Sequence, residues 1–117
     1  MIRELLFYKS YFLDFYFKQN QKTQVKIDFV LDLIRNIDRI PVKFLKHVEG
    51  TDGIYEIRIE SFGNIFRILC FFDSNRLVVL LNSFQKKTNK IPKKEVETSE
   101  RLKKEYFKNK KILHEKK

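Results

Sequence analysis

The chain has little of what enzymes commonly use to hold reactive chemistry. Its 117 residues include one cysteine, two histidines, three glycines, two prolines and no tryptophan. A lone Cys70 excludes an intramolecular disulfide and a cysteine metal cluster, and a reducing cytoplasm fits such a chain best. His47 and His114 lie far apart, and no closely spaced His/Cys/Asp set has metal-ligand geometry, so no metal or other cofactor is expected. Nor is there a glycine-rich phosphate loop. No run approaches the ~18 apolar residues of a membrane helix. Met1-Ile2-Arg3-Glu4 is not a basic flank leading into a long apolar stretch, so neither a signal peptide nor a membrane span is expected.

What the chain does have is aromatic residues and positive charge. Twelve Phe and five Tyr, within a hydrophobic content of 43%, can supply the core of one domain spanning 1–117. The net charge is +10, and it is uneven. Residues 86–117 carry 13 Lys/Arg against 5 Glu, whereas residues 1–85 are nearly balanced. Such asymmetry favours a polyanionic partner: RNA, DNA, an anionic membrane or an acidic protein. A solvated lysine tail would account for Lys103 onward. It accounts less well for Lys86 and Lys87, which adjoin an apolar strand.

The periodicities place the elements. Arg3 to Tyr8 reads as a first strand. Ser10 is a candidate cap for a helix from Tyr11 to Asn20, whose Phe12, Phe15 and Tyr16 share a core-facing stripe. A second helix runs from about Lys22 to Asp38 on Ile27, Val30, Leu31, Ile34 and Ile37, and Pro41 ends its register. Residues 42–53 read as a connector with a short helical turn at Phe44 and Leu45, closed by Thr51-Asp52-Gly53. The period then changes to two: Tyr55, Ile57 and Ile59 alternate with Glu56, Arg58 and Glu60. Reversals at Phe62-Gly63-Asn64 and Asp73-Ser74-Asn75 separate this strand from Ile65–Phe72 and Arg76–Phe84, an antiparallel meander. From Pro92 a basic helix continues to about Lys110, with Val96, Leu102 and Tyr106 as its apolar side. The expected architecture is α+β, with two helices on one face of a mainly antiparallel sheet and the other face partly open.

Few residues on this frame suit chemistry. Arg58 and Arg67 lie within strands, where an arginine must be paired or face an open groove. Ion pairs with Glu56 or Glu60 satisfy the first condition. A phosphate site, with both guanidinium forks near Lys86 and Lys87, satisfies the second. His47 is either a base or substrate contact or a surface histidine, and His114 falls in the basic tail. Cys70, amid Leu69, Phe71 and Phe72, reads as a buried and inert thiol.

Four ordered strings carry a family resemblance: Gly53-Ile54-Tyr55-Glu56-Ile57-Arg58; Phe66-Arg67-Ile68; Leu80-Leu81-Asn82-Ser83-Phe84-Gln85-Lys86-Lys87-Thr88; and Lys90-Ile91-Pro92. Together they resemble the HigB-like branch of the RelE/ParE toxin superfamily over residues 42 to about 107. The resemblance implies a small RelE-like fold and a type II toxin that cleaves messenger RNA on the ribosome without a metal. The 2′-hydroxyl would attack the adjacent phosphate, with Arg58 and Arg67 clamping that phosphate and Lys86 and Lys87 completing a positive pocket. Tyr55 or Phe84 would stack on a base, and His47, Lys90, Lys93 and Lys94 would contact or steer the RNA. The implied partner is a helix-turn-helix antitoxin encoded next door. Phe66 stands where many members have tyrosine, and Leu81-Asn82-Ser83 where many have histidine. Several RNA-cleaving members use a C-terminal histidine or tyrosine as general base, for which Tyr106 and His114 are the candidates here, with Tyr106 expected to pack on the sheet. Two other readings stay open: a ParE-like toxin that inhibits DNA gyrase, and a basic RNA-binding module without catalysis.

Overall fold

The computed structural model describes the backbone of residues 1–115 and the side chains of residues 1–111. The elements run β1 (Glu4–Phe7), α1 (Tyr11–Phe17), α2 (Gln21–Asn36), β2 (Leu45–His47), β3 (Tyr55–Ser61), β4 (Asn64–Ser74), β5 (Leu77–Lys86) and α3 (Lys93–Glu115). The five strands form one sheet in the order β1-β5-β4-β3-β2. β1 lies parallel to β5, and the other neighbours are antiparallel. This is the expected α+β architecture.

Several expected element ends shift by a few residues: α2 stops at Asn36, leaving Ile37 exposed beyond it, and β4 and β5 run on to Ser74 and Lys86. Three differences have a local reason. α1 stops at Phe17 because Asn20 caps the next helix, its Oδ1 accepting from the Thr23 backbone N–H at 2.9 Å. Ser10 sits at the start of α1 without capping it, since its hydroxyl turns to Asp14 at 3.1 Å. The connector holds a strand as well as the expected turn. Phe44 and Leu45 donate backbone hydrogen bonds to the Pro41 carbonyl, and Leu45–His47 then pairs with β3. Three residues are too few to display a period of two, so β2 leaves no legible sequence signal.

The sheet separates two cores. Ile57, Ile59, Phe66, Ile68, Cys70 and Leu80 face α1 and α2, meeting Phe12, Ile27, Val30, Leu31 and Ile34. Ile54, Leu69, Phe71, Val79, Leu81 and Phe84 face the other way, under Val96, Leu102 and Tyr106 of α3. α3 covers β4 and β5 on that side, and the part of β3 bearing Glu56 and Arg58 stays beside the pocket described below.

β5 carries the detail that positions the site. Ile68 pairs with Ser83 but Cys70 pairs with Leu80, so β5 has one extra residue at this point. Such a bulge reverses which way the following side chains point. Leu81 and Phe84 therefore face the same core although three residues separate them. Lys86, two positions beyond Phe84, follows it onto the α3 side.

Candidate functional site

Strand pairing gathers the charged residues. Arg58 on β3 lies directly opposite Arg67 on β4, Lys46 on β2 lies opposite Glu56 on β3, and Arg67 lies opposite Phe84, two residues before Lys86. Paired residues share a face, so Lys46, Glu56, Arg58, Arg67 and Lys86 all project from the α3 side. Two like charges facing each other across a ladder repel. Glu56 relieves that repulsion: its Oε1 is 3.1 Å from Arg58 Nε and 3.4 Å from Arg67 Nε. Both alternatives for the arginines thus meet in one place, an ion-paired cluster that also lines a groove.

The cluster is rich in donors. Glu56 and Arg67 keep only 6% and 4% of their side-chain surface in contact with solvent, and Arg58 keeps 30%. Neither Arg58 Nε–H nor Arg67 Nε–H has a well-aligned acceptor among the described residues, so the contacts to Glu56 are electrostatic and donor capacity is left over. Arg58 also donates through Nη1 to the Val42 carbonyl at 3.4 Å, and Arg67 through Nη1 to the Phe66 carbonyl at 3.0 Å. Burial lowers the pKa of Arg67; Glu56 opposes that shift and Arg58 adds to it. Arginine stays protonated regardless.

Lys86 differs because its proton can leave. Burial lowers its pKa first, and the positive charges of Arg67, Arg58 and Lys46 lower it further against the pull of Glu56. A lysine held this way is suited to proton transfer as well as to charge stabilisation. A cavity of about 230 Å³ opens at this point, lined among others by Lys46, Glu56, Arg58, Lys86, Asn89 and Ile91. A second, of about 370 Å³, reaches Arg58 and Arg67 from the β3 edge that β2 leaves uncovered. Four cations gathered around Glu56, with Glu49 also on the cavity wall, leave a net positive site that can receive an anion.

The remaining expected residues scatter. Lys87 is exposed and lines a cavity of about 290 Å³ beside Asn64 and Gln85, which shares Lys86 and Asn89 with the 230 Å³ cavity. Lys90, Lys93 and Lys94 are exposed on the segment leaving β5 and at the start of α3. Phe84 is 9% exposed in the core beneath α3, so its ring is not presented to a ligand. Tyr55 belongs to the opposite face, its ring edge-on to those of His47 and Phe72 at 5.3 Å each. The His47 ring packs against Tyr55 and its Nε2 lies 3.1 Å from the Thr51 carbonyl, yet His47 also lines the 230 Å³ cavity beside Lys46. Base stacking on Phe84 is thereby corrected, since its ring is buried, and Tyr55 is half-buried on the face away from the arginines.

Tyr106 also stands apart. Its hydroxyl donates to Asp73 Oδ2 at 2.6 Å, and burial together with that bond pushes its pKa up to about 12. Asp73 lies six residues along β4 from Arg67, roughly 20 Å away at strand rise, so Tyr106 packs and does not serve the pocket. The side chain of His114 lies outside the described residues. Cys70 is fully buried and burial pushes its thiol pKa up, as expected of an inert thiol. Among the described residues no group of three His, Cys, Asp or Glu could hold a metal ion, and no helix is long and apolar enough to cross a membrane.

Lys46 is the site residue that sequence reasoning missed. It lies on the short strand that periodicity could not reveal, and only its pairing with Glu56 brings it to the pocket.

No curated protein matches the chain significantly. The model of the family described as Phage derived protein Gp49-like (DUF891) matches residues 14–104, which span α1 to the middle of α3 and include every charged residue of the pocket. That match covers well over half of the chain. The protein belongs to the Gp49-like family, a family of toxin–antitoxin toxins within the RelE/ParE-like superfamily.

Proposed function

We propose that this toxin is an endoribonuclease that cleaves messenger RNA on the ribosome, as HigB-like relatives are expected to do. The observation that carries this reading is the gathering of Arg58, Arg67 and Lys86 around Glu56, with Arg58 lining both adjoining cavities. The scissile phosphate sits against the two guanidinium groups, whose planar donors match its oxygens. The 2′-oxygen attacks phosphorus as its proton leaves, the bond to the 5′-oxygen of the next nucleotide breaks, and that oxygen takes up a proton. The products are a 2′,3′-cyclic phosphate and a free 5′-hydroxyl. Charge grows on the phosphorane and on the leaving oxygen, and fixed cations that meet growing charge commonly contribute most to catalysis. Lys86, with its lowered pKa, exchanges one of the two protons. Lys87 and the exposed Lys90, Lys93 and Lys94 steer the RNA from outside the pocket.

The toxin family implies an antitoxin partner. In this reading it is a helix-turn-helix protein encoded next door, and the work is done in the cytoplasm, where ribosomes are. Inducing the chain alone should arrest growth and cut messages within translated frames. Arg67→Ala and Lys86→Ala should each slow cleavage by on the order of 100-fold. Growth arrest with intact messages would overturn the reading. In that case a loss of supercoiling activity by purified gyrase would point to the gyrase-directed alternative. RNA binding without cleavage, undisturbed by either substitution, would point to a plain binding module.

A further inference from the structure

We propose that the Phe62-Gly63 turn and the lysines beside it form a base-stacking subsite for a nucleotide neighbouring the scissile phosphate. The proposal rests on the RNA reading above and adds to it a place for the next residue of the strand.

The turn is the first observation. Ser61 pairs with Asn64, so Phe62 and Gly63 are the two central residues of a tight hairpin, and both have positive φ, 50° and 81°. That geometry suits Asn-Gly or Gly-Gly. A phenylalanine there costs conformational energy, because a bulky residue at positive φ is disfavoured. Packing does not repay the cost, since Phe62 is 79% exposed. A strained aromatic that packs against little points to a role outside folding.

Its surroundings are the second observation. Phe62 lines the 370 Å³ cavity that also holds Arg58 and Arg67, together with Lys26 of α2 and Lys43. Four cations and one carboxylate, Glu60, line it, and Glu56 behind the wall pairs with the two arginines. Lys22 Nζ stands over the Phe62 ring at 5.1 Å from its centroid, so a base on the ring would meet a cation beside it. An exposed aromatic next to cations is the ordinary platform for single-stranded nucleic acid. The cavity joins the cleavage pocket through Arg58, which lines both. A strand whose phosphate rests on Arg58 and Arg67 can therefore lay its neighbouring base on Phe62 and its next phosphate on Lys26 and Lys43.

The test uses a fully 2′-O-methylated single-stranded oligonucleotide, which cannot be cleaved, carrying one 2-aminopurine. Binding is followed by anisotropy, and stacking by quenching of the 2-aminopurine. Phe62→Gly should weaken binding roughly tenfold and relieve the quenching, consistent with one lost stacking contact. Phe62→Tyr should preserve both. Because glycine suits the turn, Phe62→Gly should melt no lower than the wild type, which separates lost binding from lost folding. Lys26→Ala/Lys43→Ala should flatten the salt dependence by about 1.4 in log–log slope, as two lost phosphate contacts require. If Arg67→Ala weakens binding and Phe62→Gly does not, the subsite is refuted while the RNA pocket stands. The groove that Phe62 also lines, with exposed Val25 and Phe29, would then be read as a protein-facing surface. If the wild type fails to bind the oligonucleotide, the subsite is refuted, while the RNA reading is decided separately by whether messages are cut on the ribosome.

Discussion

Replacing Glu56 by glutamine keeps the shape of the side chain and removes the one negative charge at the centre of the pocket. Its Oε1 lies 3.1 Å from Arg58 Nε and 3.4 Å from Arg67 Nε, with Arg67 and Glu56 nearly excluded from solvent. Charges about 3 Å apart attract by roughly 5 kcal/mol at an effective dielectric of 20, before desolvation is counted. After that cost, removing one partner of a buried pair loses about 3–5 kcal/mol, mainly because the surviving charge is stranded. Arg67 would be left facing Arg58 across the ladder with nothing between them. For a chain of this size about 4 kcal/mol lowers the melting midpoint by roughly 10–20 °C. Urea unfolding of Glu56→Gln, Arg67→Met and the double variant forms a cycle. The double variant should recover much of the loss, because it no longer strands a buried charge. Added phosphate should raise the midpoint of Glu56→Gln more than that of the wild type, since an anion can take the vacated role. A loss below about 1 kcal/mol, or two single effects that simply add, would refute the account of Glu56 as the keystone of the cluster.

Three further outcomes follow from particular contacts. Phe62→Gly should stabilise the protein by about 1 kcal/mol, the strain of one bulky residue at positive φ; an unchanged or lower urea midpoint would mean the turn is not strained. Asp73 is held below the usual carboxylate range: burial acts to raise its pKa, but hydrogen bonds from Lys110 and Tyr106 outweigh it. A carboxylate depressed in the folded state contributes stability that is present above its unfolded pKa of about 4 and lost as pH falls through the folded value, so Asp73→Asn should flatten the acid limb of a stability–pH curve, and an unaltered limb would count against it. If Lys86 exchanges a proton in cleavage, the rate should change with pH at a value below the ordinary lysine pKa of about 10.4. Lys86→Arg should abolish that limb while keeping RNA affinity, whereas a limb that persists assigns the proton to another group.

Much of the fold was legible because burial imposes its period on the chain. The alternation at Tyr55 to Glu60 follows from a sheet with two unlike faces, and the spacing of Ile27, Val30, Leu31 and Ile34 from a helix with one buried stripe. Pro41, Gly53 and the Phe62-Gly63 reversal marked where those periods break. The two strand arginines and Lys86 were legible for a related reason: charge inside an apolar strand is costly, so it signals a pairing or a groove.

The sequence by itself thus determined the classes and order of the elements other than β2, and singled out the strand arginines and Lys86 as costly charges that need a pairing or a groove. Tertiary structure decided which of them meet. Local pattern could not show that a bulge in β5 turns Phe84 into the core and Lys86 toward the arginines, because a bulge is a mismatch between two strands and belongs to neither alone. Nor could it show that β2 brings Lys46 opposite Glu56, since three residues have no period of their own. The same pairing put Tyr55 behind the sheet, where a one-residue step along a strand reverses the face. Which residues can form the pocket follows from their chemistry; which ones do form it follows from strand register, set only when the sheet assembles.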